Sequence, residues 1–239
     1  MLTHGAVASR YLGEDVVYEA FADWTKARVR PEVKATLGVL AKLTTCPLEF
    51  NANDIQPLLK LGIPAAGIEQ AVVIGGYIFN YQNRIADAMG ADVLKDKVNR
   101  AGKMLNLTGR SMLKDRKVSG EAVAYSGVIP AEIEAMVDSV RNGTGDSEIA
   151  LRRAVFRRGM AFLGFPESDT AVPQTITHFV DTIAQHAPDI TDQDVQDLLN
   201  AGWSEAEVFE VAVAASVAAG YGRLKIAWAA LADLSKEIC

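Results

Sequence analysis

Two segments of the chain, residues 51–90 and 191–230, follow the same sequence pattern. Each consists of a short capped helix, a turn at a glycine, and a long helix whose middle is almost free of charge. Neither segment alone can bury so apolar a helix, so each needs the other or a second subunit to cover it. The pattern therefore predicts two internal repeats. An alignment without gaps pairs Asp54 with Asp194, Leu58 with Leu198, Leu59 with Leu199, Gly62 with Gly202, Val73 with Val213 and Tyr81 with Tyr221.

Helical spacing of apolar residues dominates the rest of the chain, and strand alternation is nearly absent, so the sequence predicts an all-α fold. Helix starts are marked by Asn51 or Asn53 as a cap, by Pro64 in a first turn, and by a capping box of Ser204 and Glu207. The polar stretch 91–118 predicts one or two helices and is followed by a linker to Pro130. The other predicted helices span residues 14–27, 31–43, 54–61, 64–89, 130–142, 148–163, 172–185, 192–200 and 204–235.

The run NGTGDS, residues 142–147, is the best candidate for a domain boundary, because it holds two glycines and a cap residue for the next helix. The 239 residues are enough for one large or two small domains. We therefore expect a first repeat with N-terminal and connecting helices at residues 1–142 and a second repeat at residues 147–239.

The net charge of −6 argues against broad nucleic-acid binding, because no excess of Lys and Arg is present to displace counterions from phosphates. The uncharged runs 71–82 and 211–222 are too short to span a bilayer, which needs about 20 residues. The N-terminal residues show no basic region followed by an apolar stretch, so no signal peptide is predicted. Cys46 and Cys239 lie far apart and are expected to be free and reduced in a cytoplasmic protein.

Residues 40–90 contain AKLT, then Pro47, Asp54, Leu58 and Gly62, and finally the string FNYQNRIADAMG. This order resembles peroxidase-related proteins of the alkyl hydroperoxidase D-like (AhpD-like) and carboxymuconolactone decarboxylase superfamily. The stretch AGWSEAEVFEVAVAASVAAGYGRL of the second segment resembles members that carry no cysteine pair. The resemblance covers residues 34–90 and 150–232. It implies an AhpD-like helical fold with two repeats related by pseudo-twofold symmetry, and assembly into homo-oligomers.

In that superfamily the peroxidase motif is a Glu, a Cys-x-x-Cys pair, and a His that follows the pair after three intervening residues. One thiolate attacks the peroxide and the second thiol resolves the sulfenate as a disulfide. Here Cys46 is followed by Pro47, Leu48 and Glu49, so a carboxylate occupies the resolving position, and Asn53 occupies that of the His. Residues 1–30, where the motif would be expected, contain no cysteine. The sequence therefore predicts that the thiol peroxidase site is absent.

Three residues are nevertheless candidates for catalysis: Cys46, Glu49 and His186. Cys46 precedes a proline at a predicted helix start, where the helix dipole would favour a thiolate. The alternative is that it is a small buried apolar residue. At the spacing of the repeat, His186 falls opposite Cys46 and Asp189 opposite Glu49, which indicates either a trace of an ancestral site or coincidence.

A polar cluster at the end of the first long helix predicts either a pocket or a set of groups that satisfy one another where helices cross. Arg84 and Asp87 are three residues apart and close enough to pair. His178 and His186 lie eight residues apart, which is not the spacing of metal ligands on a helix, so no metal or cofactor is predicted. The pocket candidates are Asn80, Tyr81, Asn83, Arg84, Asp87, His178, Tyr221 and Arg223.

Two functions are compatible with the sequence. The first is an AhpD-like protein without the thiol peroxidase site, which binds a small molecule or serves in assembly. The second is an active enzyme of the superfamily, either a one-cysteine peroxidase through Cys46 or a cofactor-free decarboxylase that uses His or carboxylate groups as acid and base.

The second long helix carries small side chains on nearly every side, so it needs cover on every side. We expect a second subunit to cover part of it, which predicts a homo-oligomer; a self-contained pseudo-dimer is the alternative. The small residues are Ala212, Ala214, Ala215, Ser216, Ala218, Ala219 and Gly220.

Val73 and Val213 are predicted to be buried, with Leu58, Leu59, Leu198 and Leu199 beneath the long helices.

Overall fold

The structure, a computed structural model, describes Ser9 and residues 12–90, 128–166 and 171–238. Every regular element in these ranges is helical, which confirms the all-α prediction. None of the described helices is long and apolar enough to cross a membrane. The helix or helices predicted at 91–118, most of the following linker, and Cys239 lie outside the described residues.

The elements follow the predicted order with small shifts at their ends. The α-helices are α1 (Glu14–Asp23), α2 (Pro31–Thr45), α3 (Ala52–Lys60), α4 (Ala65–Ala71), α5 (Phe79–Ala88), α6 (Ala131–Asn142), α7 (Ile149–Ala161), α8 (Gln174–His186), α9 (Asp192–Asn200) and α10 (Glu205–Ile238). Short 3₁₀ turns at Pro47–Glu49 and Ala187–Asp189 precede α3 and α9, and a π-helical segment, Val72–Ile78, joins α4 to α5.

The two short helices begin in the same way. Asn51 caps α3: its Oδ1 accepts a hydrogen bond from the Asn53 amide at 3.0 Å, and its own amide donates to Asp54 Oδ2 at 3.0 Å. At α9 the Thr191 amide donates to Asp194 Oδ2 at 2.8 Å, and Thr191 Oγ1 accepts from the Asp194 amide at 3.3 Å. These caps satisfy amides that a helix start leaves without partners. Of the two predicted caps for α3, Asn51 is the one used.

The same two helices also end in the same way. Gly62 and Gly202 adopt φ of +80° and +95°, a left-handed conformation that is open to glycine at little cost. In the next residue, the amide of Ile63 bonds to the Leu58 carbonyl and that of Trp203 to the Leu198 carbonyl, both at 3.1 Å. Each short helix therefore ends in a turn at glycine, as the sequence pattern predicted.

The first long helix departs from the prediction of a regular helix. Its π-helical segment, Val72–Ile78, has no counterpart in α10, which is α-helical throughout. A π turn closes its hydrogen bonds over one more residue than an α turn does, so it inserts a residue into the helix. Residues of α5 are therefore displaced by one position relative to the alignment of the two segments.

The predicted domain boundary is not a free linker. The Glu210 carboxylate on α10 accepts hydrogen bonds from the amides of Asp146 and Ser147, at 2.9 and 2.8 Å. Arg152 Nη1 lies 3.1 Å from the same carboxylate and also donates to the Ser147 carbonyl. This network fastens the boundary to α10. One apolar core then contains residues from both sides of it, including Leu43 and Ile55 before the boundary and Phe156 after it.

The small side chains of α10 are covered within the chain. All seven predicted interface residues are buried, and α10 packs against α5, α7 and α8. A Cβ added to Gly159 of α7 would lie 2.8 Å from the Ala218 Cβ, so these two helices touch at backbone distance. This face is not available to a second subunit. A homo-oligomer stays a prediction, but the residues that were expected at its interface are buried within the chain.

The prediction of buried residues was right in part. Leu58 and Leu198 are buried, whereas Leu59, Leu199, Val73 and Val213 are only half-buried. Each half-buried residue directly follows a buried one, and one step along an α-helix turns the side chain by about 100°. A run without charged residues indicates that a helix is mostly buried, but it does not show which of its residues are only partly buried.

The contact of α7 with α10 yields a stability prediction. We expect Gly159→Ala to destabilise the protein by about 1–3 kcal/mol, because the new methyl group forces α7 away from Ala218. Gly67→Ala is the matched control, since its Cβ would meet only ordinary contacts of 3.4 Å or more, and we expect it to be neutral or to stabilise by up to about 1 kcal/mol. Urea unfolding measures both; a Gly159→Ala variant as stable as Gly67→Ala would contradict this packing.

Candidate functional site

The crossing of α5 and α10 brings together most of the predicted pocket residues. A Cβ on Gly220 would lie 3.1 Å from the Tyr77 carbonyl oxygen and 3.4 Å from the Tyr81 Cβ, so the two helices meet closely. The ring of Tyr77 lies 5.2 Å from that of Tyr81 and 6.5 Å from that of Tyr221, measured between centroids. Because Gly220 has no side chain, the rings of Tyr77, Tyr81 and Tyr221 can pack close together where the two helices cross.

Next to this crossing, a buried arginine on each long helix donates a hydrogen bond to the other half of the chain. Arg84 of α5 is 8% exposed; its Nε donates to Asn80 Oδ1 at 2.9 Å and its Nη1 donates to the carbonyl of Ile183 in the last turn of α8. Arg223 of α10 is 3% exposed; its Nε and Nη2 donate to the Thr44 carbonyl in the last turn of α2, at 3.3 and 3.1 Å. Both guanidinium groups therefore cap helix ends.

The two arginines lie near each other without a carboxylate partner. Within the described residues, no ion pair joins Arg84 or Arg223 to an acidic side chain. Burial lowers the pKa of Arg84 to about 10, and burial together with the charge of Arg84 lowers the pKa of Arg223 to about 9. Both remain charged at neutral pH. The carbonyls at the ends of α2 and α8 carry partial negative charge, and these helix ends take the place of counterions.

The π-helical segment changes the register between the two long helices. The gapless sequence alignment pairs Arg84 with Leu224 and Tyr81 with Tyr221. With one residue inserted in the first long helix, the register beyond the segment places Arg84 opposite Arg223. Both arginines are buried, and both bond to the end of a helix from the other half.

A third helix closes the tyrosine cluster from the side. Tyr221 Oη donates to Glu134 Oε1 of α6 at 2.7 Å, and Tyr77 Oη lies 3.9 Å from Met136 Sδ. Burial raises the pKa of both phenols, and the Glu134 carboxylate adds to the effect at Tyr221. Neither phenol is thus poised to lose its proton near neutral pH. Arg84 and Arg223 are thus engaged by main-chain carbonyls, and Tyr221 is engaged by Glu134.

The sequence singled out neither Glu134 nor Tyr77. Glu134 lies on α6 and not on either long helix, and no local sequence pattern links it to Tyr221. Tyr77 lies inside the uncharged run, where it looks like any apolar core residue. Its position one turn before Tyr81 was the signal available for finding it.

Asp87 and Asn83 lie at the edge of this region. Asp87 helps to line a cavity of about 150 Å³ between the end of α5 and the start of α9, with Gly90, Thr191, Asp192 and Gln196. Partial burial raises the pKa of Asp87 and the charge of Arg84 opposes that shift. Asn83 is exposed.

The structure does not join the three catalytic candidates by hydrogen bonds or ion pairs. Cys46 and Glu49 are exposed at one 3₁₀ turn. His186 is exposed at the other, where its Nδ1 lies 2.9 Å from Asp189 Oδ1. His178 is also exposed, with its Nε2 3.6 Å from Asp194 Oδ1. Among the described residues, no three His, Cys, Asp or Glu side chains form a group suited to a metal ion.

The position of Cys46 differs from the predicted helix start. It is the C-terminal cap of α2, with its amide bonded to the Lys42 carbonyl at 2.8 Å, and the element that follows has only three residues. The sulfur thus lies at the negative end of the dipole of a 15-residue helix, which does not stabilise an anion. The proline after Cys46 marks a short turn and not the start of a long helix.

A second cavity, of about 470 Å³, lies where α7, α8 and α10 begin. Its lining includes one aromatic residue, two acidic residues and several apolar ones: Trp203, Glu148, Glu207, Leu151, Ala154 and Pro173. We refer to it as the Trp203 groove. No local sequence pattern indicates this groove, because its residues come from three separate helix starts that only the fold brings together.

The two buried arginines generate a prediction for stability. We expect Arg84→Met and Arg223→Met each to destabilise the protein by about 2–4 kcal/mol, since each leaves carbonyls at a helix end without a charged donor. Because the two guanidinium groups repel each other, each single change also relieves that repulsion. The double variant should therefore cost about 0.5–1 kcal/mol more than the sum of the single changes. A double-mutant cycle from urea unfolding measures this difference, and a double variant that costs less than the sum would contradict it.

Comparison with known proteins adds no assignment: no family model, curated protein or solved structure matches this chain.

Proposed function

We propose that the chain is an AhpD-like helical repeat protein that lacks a thiol peroxidase centre and acts by binding a small molecule. Three features of the molecule support the three parts of this proposal. The reciprocal arginine contacts support the repeat. The surroundings of Cys46 support the absence of a thiol peroxidase centre, and the Trp203 groove supports the binding of a small molecule.

The arginine contacts support a pseudo-twofold relation between the halves. A twofold axis makes contacts reciprocal, so that a group on one half touches the other half in the way that the other touches it. Arg84 reaches from the first half to the end of α8, and Arg223 reaches from the second half to the end of α2. The matching caps of α3 and α9 and the left-handed glycines that follow them support the same relation.

The surroundings of Cys46 carry the argument against redox catalysis. A thiol peroxidase needs a stabilised thiolate and a second thiol to resolve the sulfenate. Cys46 lies exposed at a helix C-terminus, and Glu49 stands where a resolving cysteine would be expected. His186, which the repeat spacing pairs with Cys46, bonds instead to Asp189 on the surface. None of these residues faces either cavity described above.

A one-cysteine peroxidase remains the second candidate, because the Cys46 sulfur is free and accessible to a peroxide. In such an enzyme an external thiol would reduce the sulfenate. The exposure of Cys46 favours this candidate, whereas its position at the C-terminal end of α2, with no second thiol beside it among the described residues, does not.

Peroxide consumption distinguishes the two candidates. The protein is incubated with tert-butyl hydroperoxide and an excess of dithiothreitol, and turnover is compared with that of Cys46→Ser. We expect equal rates for both proteins, at the background of the reductant alone. Cys239→Ser is the control for the other cysteine. Turnover that is present in the parent and in Cys239→Ser but lost in Cys46→Ser would establish the one-cysteine peroxidase and overturn the proposal.

A further inference from the structure

The Trp203 groove has a wall that is fixed before any ligand arrives. Trp203 Nε1 donates to Thr175 Oγ1 at 3.3 Å, which sets the orientation of the indole ring. The backbone of Trp203 is held by its bond to the Leu198 carbonyl and by the left-handed turn at Gly202. Little side-chain freedom therefore remains to be lost when a ligand packs against the ring.

The carboxylate of Glu207 has one oxygen that accepts no hydrogen bond from the described residues. Glu207 uses Oε2 for the Ser204 amide and hydroxyl, at 2.9 and 2.8 Å, and these bonds lower its pKa and keep it ionised. Within the described residues, no hydrogen bond engages Glu207 Oε1. Its ionised carboxylate therefore presents a free acceptor beside the indole ring.

The Glu148 carboxylate also has no hydrogen-bond or ion-pair partner in the described part of the chain. Arg152 lies four residues along α7, the usual spacing for an ion pair on a helix. Its guanidinium instead turns away to Ser147, Gly143 and Glu210. The Glu148 carboxylate thus stays unneutralised at the edge of the groove.

The charge of the groove remains negative after the helix ends are included. Three helices begin there, and each contributes about half a positive charge that fades within its first turn. Two full carboxylate charges exceed this sum. The net charge of −6 on the whole chain adds an attractive field for cations.

We propose that the Trp203 groove binds an organic ammonium ion that carries a small apolar group. The ammonium donates to Glu148 and Glu207 beside the face of the indole, an arrangement that combines ion pairing with cation–π attraction. The apolar group packs on Leu151, Ala154 and Pro173. The volume of about 470 Å³ is that of a small-molecule site. This inference rests on the proposed binding function and names its ligand class.

The first half of the chain lacks the same chemistry. The positions that correspond to Trp203 and Glu207 before the π-helical segment are Ile63 and Gly67, which offer neither an aromatic ring nor an acceptor. The repeat therefore predicts one such groove in this fold and not two.

Three probes of nearly equal size test the ligand class: benzylammonium, benzyl alcohol and benzoate, which are cationic, neutral and anionic at pH 7. Binding is followed on the indole ¹H–¹⁵N resonance of Trp203, assigned by its loss in Trp203→Phe. We expect a saturable shift with benzylammonium, a Kd at least about threefold higher for benzyl alcohol, and no saturable shift with benzoate. Equal affinities for the three probes, or no saturable shift with benzylammonium, would overturn the inference.

Charge-neutral variants locate the site. Glu148→Gln and Glu207→Gln should each raise the Kd for benzylammonium by about two- to fivefold. Glu207→Gln keeps the capping box, because glutamine accepts the same bonds from Ser204. Glu205→Gln is the matched control, an exposed carboxylate at the start of α10 that does not line the groove, and it should leave the Kd unchanged.

The outcomes separate the two proposals. A Kd that is unaffected by both groove variants overturns the groove as the site. A negative titration together with background peroxidase activity overturns the ligand class alone. Peroxide turnover that depends on Cys46 overturns the proposed function, whatever the titration shows.

Discussion

The crossing of α5 and α10 is the contact on which the rest of the structure depends. Gly220 lets the two long helices meet at backbone distance, and the tyrosines of both helices pack around that point. Close approach places Arg84 and Arg223 in the core, where a lone charge is costly. The ends of α2 and α8 supply the carbonyls that offset this cost, so the positions of four helices depend on the same two side chains.

This arrangement also bears on function. Arg84 and Arg223, which the sequence singled out, are engaged in contacts between the two halves. The free acceptors and the fixed aromatic wall lie elsewhere, in the Trp203 groove at the starts of α7, α8 and α10. Cys46, the candidate for redox chemistry, lies at the C-terminal end of α2. The contacts between the halves and the proposed binding site thus lie in different parts of the molecule.

Local signals predicted the helices and their ends well. The capping residues Asn51 and Ser204 and the glycine turns act within a few residues, so their patterns are visible in the sequence. Contacts between distant elements were not predictable in this way. No local sequence pattern predicts the π-helical segment, and the gapless alignment of the two segments therefore does not place Arg84 opposite Arg223. Trp203 was missed because its neighbours in the groove come from other helices.

The central claim is that Arg84 and Arg223 are buried, charged caps on helices of opposite halves. Exchange of the guanidinium Nε–H protons with water, followed by ¹H–¹⁵N NMR, tests this most directly. Arg30, which is exposed, serves as the internal reference. We predict distinct and strongly protected Nε–H resonances for Arg84 and Arg223, each assigned by its loss in the corresponding methionine variant. Exchange as fast as that of Arg30 would show that the crossing is open to water and would contradict the account.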